Sequence, residues 1–72
     1  MTYLGAITAK DVGRKVVTLQ GRAFYLPRTV EPGDVGRYVW LIRTPEGARI
    51  EIENDEQYAK RIKAANRRHR GG

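Results

Sequence analysis

Six cations, Lys60, Arg61, Lys63, Arg67, Arg68 and Arg70, fall within eleven consecutive positions near the end of the chain, and no acid follows Glu56. Lys and Arg at this density neutralise phosphates, and affinity then comes from counterion release without base-specific contacts. A second group surrounds the single tryptophan. Tyr38, Trp40 and Ile42 alternate along one apolar segment that ends at Arg43, so an exposed version of their face would offer a stacking platform edged by charge. Burial of the same face against an apolar helix stripe is the competing arrangement for so large a side chain. Arg28, close to Tyr25 across Pro27, is a third candidate of the same type. The candidate nucleic-acid-binding residues are therefore Arg28, Tyr38, Trp40, Arg43, Lys60, Arg61, Lys63, Arg67, Arg68 and Arg70.

Little else has the makings of an active site. The chain has no cysteine and one histidine, His69, placed in the basic block, where a solvated imidazole near a helix C-terminus is the simplest reading. The eight glycines are scattered and form no phosphate loop. Glu51 and Glu53 share a strand face, but beside Arg49 they read as a solvated polar face rather than a general acid and base. The expectation is a protein that is not an enzyme and needs no cofactor or metal. No segment is long and apolar enough to span a bilayer, the start lacks a signal-peptide pattern, and the absence of cysteine suits a reducing compartment. A cytoplasmic protein is expected, associated with the nucleoid if it binds DNA.

The elements that must position these residues are organised around a repeat. Asp11-Val12-Gly13-Arg14 and Asp34-Val35-Gly36-Arg37 share the pattern Asp-Val-Gly-Arg-x-Val at an offset of 23 residues. Asp initiates a turn, Gly adopts a backbone angle that side chains resist, and Val is expected to tuck inward. Each copy launches a strand. Tyr3–Ile7 reads as a first strand bent at Gly5. Lys15–Leu19 and Arg22–Leu26 flank the turn signal Gln20-Gly21, and Pro27 ends the third strand. Tyr38–Ile42 is apolar on both faces, Thr44-Pro45-Glu46-Gly47 is a hairpin turn, and Ala48–Glu53 alternates so that Ile50 and Ile52 face inward and Arg49, Glu51 and Glu53 face water. At Asn54 the period changes. Asn54 or Asp55 caps a helix expected from about Asp55 to Arg68, with Tyr58, Ala59, Ile62 and Ala65 on its apolar stripe, and Gly71-Gly72 forms a flexible tail.

The result is one domain over residues 1–70, mainly β: a small five-stranded antiparallel SH3-like barrel or bent sheet with a C-terminal α-helix. The element order together with Trp40 is similar to that of the seven-kilodalton chromatin proteins of thermophilic archaea, and that resemblance implies duplex DNA on a sheet face around the tryptophan. It transfers no individual site residues, because the lysine-rich pattern of that family is missing. The carbon-storage RNA regulators also place a helix after five strands, without their characteristic opening here. Arg70-Gly71-Gly72 looks like the terminus of ubiquitin-like modifiers, whose helix lies between strand pairs instead. The function expected is a small basic nucleic-acid-binding protein that contacts the backbone of DNA or RNA with low sequence specificity. The alternative is a protein-interaction module, an accessory or regulatory subunit, viral or plasmid-borne, docking its basic helix on an acidic surface of a larger complex. Neither a membrane nor a small-molecule substrate is expected as a partner.

Overall fold

A computed structural model describes the backbone of residues 1–70 and the side chains as far as Asn66. Five strands form two antiparallel sheets. Strand β1 (Thr2–Ala6) pairs with β4 (Tyr38–Thr44), which pairs with β5 (Gly47–Ile52), giving the order β1-β4-β5, while β2 (Val16–Leu19) and β3 (Arg22–Tyr25) form a separate hairpin. The two sheets do not close into a barrel. A helix, α1 (Asp55–Arg70), follows β5.

The hairpins obey local turn chemistry. Gln20 and Gly21 both have positive φ (53° and 75°), as a two-residue type I′ connection requires. The Gln20 side-chain amide donates to the Leu4 carbonyl at 3.0 Å, tying this hairpin to β1. Gly5 interrupts the β1–β4 register, and a Cβ there would meet the Leu19 side chain at 2.9 Å. The neighbour that leaves no room for a side chain at Gly5 is thus a side chain of β2, not another backbone.

The core between the sheets is aliphatic: Leu4, Ile7, Val17, Leu19, Leu26, Val30 and Val39 are buried, with Phe24, Leu41, Ile50 and Ile52 packed against them. Trp40 is not among them. Strand alternation puts Val39 and Leu41 on the core side and Tyr38, Trp40 and Ile42 on the outer side.

Both copies of the repeat fold alike. Each begins as one turn of 3₁₀ helix, Ala9–Asp11 or Pro32–Asp34. The Asp carboxylate accepts the backbone amide three residues earlier, from Thr8 at 2.9 Å and from Glu31 at 2.8 Å. The Arg amide then donates to the Asp carbonyl, at 3.0 Å in both copies. Val12 and Val35 take φ near −60° with ψ of 131° and 126°, and Gly13 and Gly36 take φ of 83° and 93°, the signature of a type II turn. The copies also bind each other. Gly13 donates to the Val30 carbonyl and Gly36 to that of Ile7, both at 2.8 Å, while Val30 and Ile7 donate back to Arg14 and Arg37. Ile7 and Val30 are themselves equivalent positions, so the repeat spans Ile7–Arg14 and Val30–Arg37. Contrary to the expected inward tuck, Val12 and Val35 are exposed, because the type II turn points its second side chain outward and the buried anchors are Ile7 and Val30.

Helix α1 starts at a reciprocal cap: the Gln57 amide donates to the Asn54 side chain at 2.7 Å and the Asn54 amide to that of Gln57 at 3.0 Å. It does not settle on its expected stripe. Ala59 and Ala65 are exposed and Ile62 is 39% exposed. Of the expected stripe only Tyr58 is partly buried, and Arg61, outside the stripe, is the other helix residue that packs on the sheet end. No helix among the described residues is long and apolar enough to cross a membrane.

Candidate functional site

The expected site residues separate into those committed to internal ion pairs and those that are not. Arg61 is the most committed. Its guanidinium donates through Nε and one Nη to the Glu53 carboxylate, each at 2.9 Å, through the same Nη to the Gly36 carbonyl at 2.8 Å, and lies 3.6 Å from the centre of the Tyr38 ring. Glu53, expected to face water, is only 4% exposed. It also accepts the Tyr38 amide at 2.8 Å. Burial alone would push its carboxyl up, yet the Arg61 fork and the Tyr38 amide hold it below the ordinary range, and the hydrogen bond to Glu53 raises Arg61 in return. Period-two alternation put Glu53 on the outer face correctly; what it could not foresee is that α1 covers that end of the face.

Arg28 is likewise engaged. It grips Asp34 with both nitrogens, one contact being 2.9 Å. Asp34 is 4% exposed, and the hydrogen bond from Arg28 lowers its pKa against the opposing effect of burial. Arg37, in the same turn, reaches the Glu53 carbonyl at 2.9 Å and the carboxylates of Asp55 and Asp34. Lys60 pairs with Glu56 one helical turn back at 3.4 Å, and Arg49 pairs with Glu51 on the outer face. Lys63 is exposed and forms no ion pair among the described residues. Arg67, Arg68 and Arg70 lie on the helix backbone, with side chains outside the described residues, as do the Gly71-Gly72 tail and the His69 side chain.

The aromatic group is brought together as expected, with one addition. Tyr3 of β1 stands opposite Trp40 and joins Tyr38 and Trp40 in edge-to-face contacts with ring centres 4.7, 5.6 and 6.3 Å apart. Tyr3 is 44% exposed, Trp40 is half-buried, and Tyr38 lies beneath Arg61. The charges around this face are matched: Glu51 lies opposite Trp40 with Arg49 beside it, and Arg43 falls on the other side of β4 by alternation.

A cationic group outside the expected site residues sits at the first turn and the hairpin after it. Lys10 and Arg14 of this turn, and Lys15 and Arg22 on the β2–β3 hairpin that follows it, are exposed and make no ion pair among the described residues. Between Ala6, the first turn and β2 lies a half-open depression of about 330 Å³, lined by Thr8, Lys10, Arg14, Thr18, Val16 and Leu19 together with Asp11. These cations are dispersed along the chain, so no charge run marks them. The available signal was Arg14 itself, which holds the repeat position of Arg37 without the acids that surround Arg37. Comparison with protein-family models, curated proteins and solved structures returns no match.

Proposed function

We propose that the protein binds the phosphate backbone of nucleic acid with low sequence specificity. The observation that carries this reading is the distribution of charge after internal pairing. Arg28, Arg37, Arg49, Lys60 and Arg61 are matched by Asp34, Asp55, Glu51, Glu56 and Glu53. The net +6 is then left mainly to the first-turn group and to the helix beyond Lys63, where the sequence supplies Arg67, Arg68 and Arg70. Cations that form no ion pair among the described residues, together with the three arginines that the sequence adds after Lys63, favour backbone contact over sequence readout. In this reading the two facing sheets act as a small bent, SH3-like scaffold, and the protein works in the cytoplasm beside the nucleoid. Arg28 and Arg61 become supports of the scaffold rather than phosphate ligands.

Titration with fluorescent random-sequence duplex and single-stranded DNA at several salt concentrations tests this. Binding should weaken steeply as salt rises. Replacing Arg67, Arg68 and Arg70 by Gln should weaken it across all sequences and flatten the salt dependence. Absence of binding at low salt would remove the reading.

A protein-interaction module is the second reading, and the outer sheet face favours it. Tyr3, Trp40 and Ile42 form an apolar, charge-matched surface better suited to a protein than to a polyanion. Trp40 emission separates the two: nucleic acid held by the cationic elements should leave it unchanged, whereas a protein seated on the sheet should shift it.

A further inference from the structure

The two turn units share a backbone but not a fate for their arginine. The polar partners of Arg37 among the described residues are all acceptors: the Gly33 carbonyl at 3.4 Å, the Glu53 carbonyl at 2.9 Å, the Asp55 carboxylate and the Asp34 carboxylate at 3.5 Å. Arg14 stands at the same position of the same turn, exposed, with no hydrogen bond or ion pair from its guanidinium among the described residues. The surroundings differ in a consistent direction. Where the second unit has Glu31 and Gly33, the first has Thr8 and Lys10, and where Arg28 approaches Asp34, the first unit has Gly5. The first turn therefore supplies a guanidinium, an ammonium and hydroxyl groups around an open space that the second turn fills with its own acceptors.

We infer that the depression beside the first turn binds a phosphate-class oxyanion, held by Arg14 and Lys10 with Thr18 as an auxiliary donor and Val16 and Leu19 as an apolar wall. Two cations oppose one carboxylate there. Asp11 uses one oxygen, Oδ2, to accept the Thr8 amide at 2.9 Å and the Thr8 hydroxyl at 3.2 Å, so that oxygen shapes the turn and the lining keeps a net charge of one positive. A cationic ligand would meet Lys10 and Arg14; a neutral one could accept hydrogen bonds but would leave their positive charge uncompensated. The apolar wall lowers the local dielectric and strengthens each charge-assisted bond. At about 330 Å³ the space lies at the small end of ligand sites, which run roughly 300–1,000 Å³. The phosphate has two sources, a free phosphate compound or one backbone phosphate of a nucleic acid. In the latter case the site deepens, and rests on, the proposed function.

The test is a ¹H–¹⁵N titration of the full chain with inorganic pyrophosphate at fixed ionic strength, followed by addition of random-sequence single-stranded DNA. Saturable shifts should centre on the amides of Thr8 to Arg14 and Thr18. Arg14→Gln should weaken pyrophosphate binding by at least about tenfold, because one charge-assisted contact is lost. Lys10→Gln should act in the same direction, and Lys63→Gln should leave it unchanged. Arg14 has no internal partner, so its variant keeps the fold, which the dispersion of its spectrum will verify. Displacement of pyrophosphate by DNA would assign the site to a nucleic-acid phosphate. Site shifts with no DNA binding would assign it to a free phosphate compound while removing the backbone-binding function. Shifts confined to α1, or equal in the Arg14→Gln variant, would overturn the site, and DNA binding could survive that result through the helix alone.

Discussion

Asp11 and Asp34 sit in turns built on the same hydrogen bonds, yet they live in opposite surroundings. The first unit, Ile7–Arg14, carries Lys10 and Arg14 against Asp11; the second, Val30–Arg37, carries Glu31 and Asp34 against Arg37. In the second, Arg28 and Arg37 close on the buried Asp34, and Tyr58 and Arg61 of α1 settle on Gly36. The first turn is left open beside its depression. Local chemistry, an Asp that accepts an amide and a Gly that accepts positive φ, makes the turn. Neighbours brought in from elsewhere decide whether it becomes a structural joint or an available surface.

Breaking the joint should give the largest contrast. Asp34→Asn leaves Arg28 and Arg37 facing a neutral amide at a buried position and should cost about 2–3 kcal/mol, against roughly 1 kcal/mol for Asp11→Asn, which weakens only an exposed cap. A domain of this size has stability on the order of 5 kcal/mol, so the first substitution alone should move the urea midpoint far more than the second. Equal shifts would mean that the Arg28–Asp34 pair adds nothing beyond the turn.

Glu53→Gln comes next, at about 2 kcal/mol, since it removes the charge from a carboxylate that holds Arg61 by two hydrogen bonds. Because Arg61 and Tyr58, with the Arg37–Asp55 pair at its first residue, hold α1, helical ellipticity should fall at temperatures where the sheets still give their native signal. Loss of both together would show that the helix is coupled to the core more tightly than these contacts explain.

The same two carboxylates set the acid response. Both have folded-state pKa values lowered from the ordinary 3.8 of Asp and 4.5 of Glu. The stability they contribute is complete above those ordinary values and is lost as pH falls through the depressed ones. Stability should therefore hold from neutral pH down to about 5 and drop below about 4. In Asp34→Asn and Glu53→Gln variants the drop should be shallower. An unchanged acid limb in both would locate acid sensitivity elsewhere.

Much of this fold was legible in the residues. Gln20-Gly21 and Pro45-Glu46 mark the hairpins, Ile50 and Ile52 mark the inner face of β5, and Asn54 marks the helix start, because each depends on a few adjacent side chains. Nothing local announced that Glu53 would be buried: its partner Arg61 lies on the next element, and a carboxylate in an alternating strand reads as solvent-facing until something covers it. For the same reason the stripe of Tyr58, Ala59, Ile62 and Ala65 was right only at Tyr58, and Arg61, a cation outside it, supplies the rest of the docking of α1. Trp40 stands half-buried on the outer face, between the two arrangements open to it, while branched aliphatics fill the space between the sheets. On the site, Trp40 with Tyr38 was visible and Tyr3 was not, because only the β1–β4 register brings it opposite Trp40. Arg14 escaped notice because isolated cations carry no pattern.

The smallest expected effect sharpens the comparison most. Gly13 and Gly36 have φ of 83° and 93°, so an Ala at either strains the backbone by about 1 kcal/mol irrespective of surroundings. A Cβ at Gly13 meets nothing within 4 Å, and one at Gly36 meets the Tyr58 hydroxyl at 3.4 Å, a contact that a small movement of the ring accommodates. Gly13→Ala and Gly36→Ala should thus destabilise the protein nearly equally in urea titrations, within a few tenths of a kcal/mol of each other. Equality would confirm that the two turns share one backbone and differ only in what surrounds them. A clearly larger loss at Gly36 would mean that the seat of Tyr58 is rigid, and that the helix helps to hold the second turn in shape as well as resting on it.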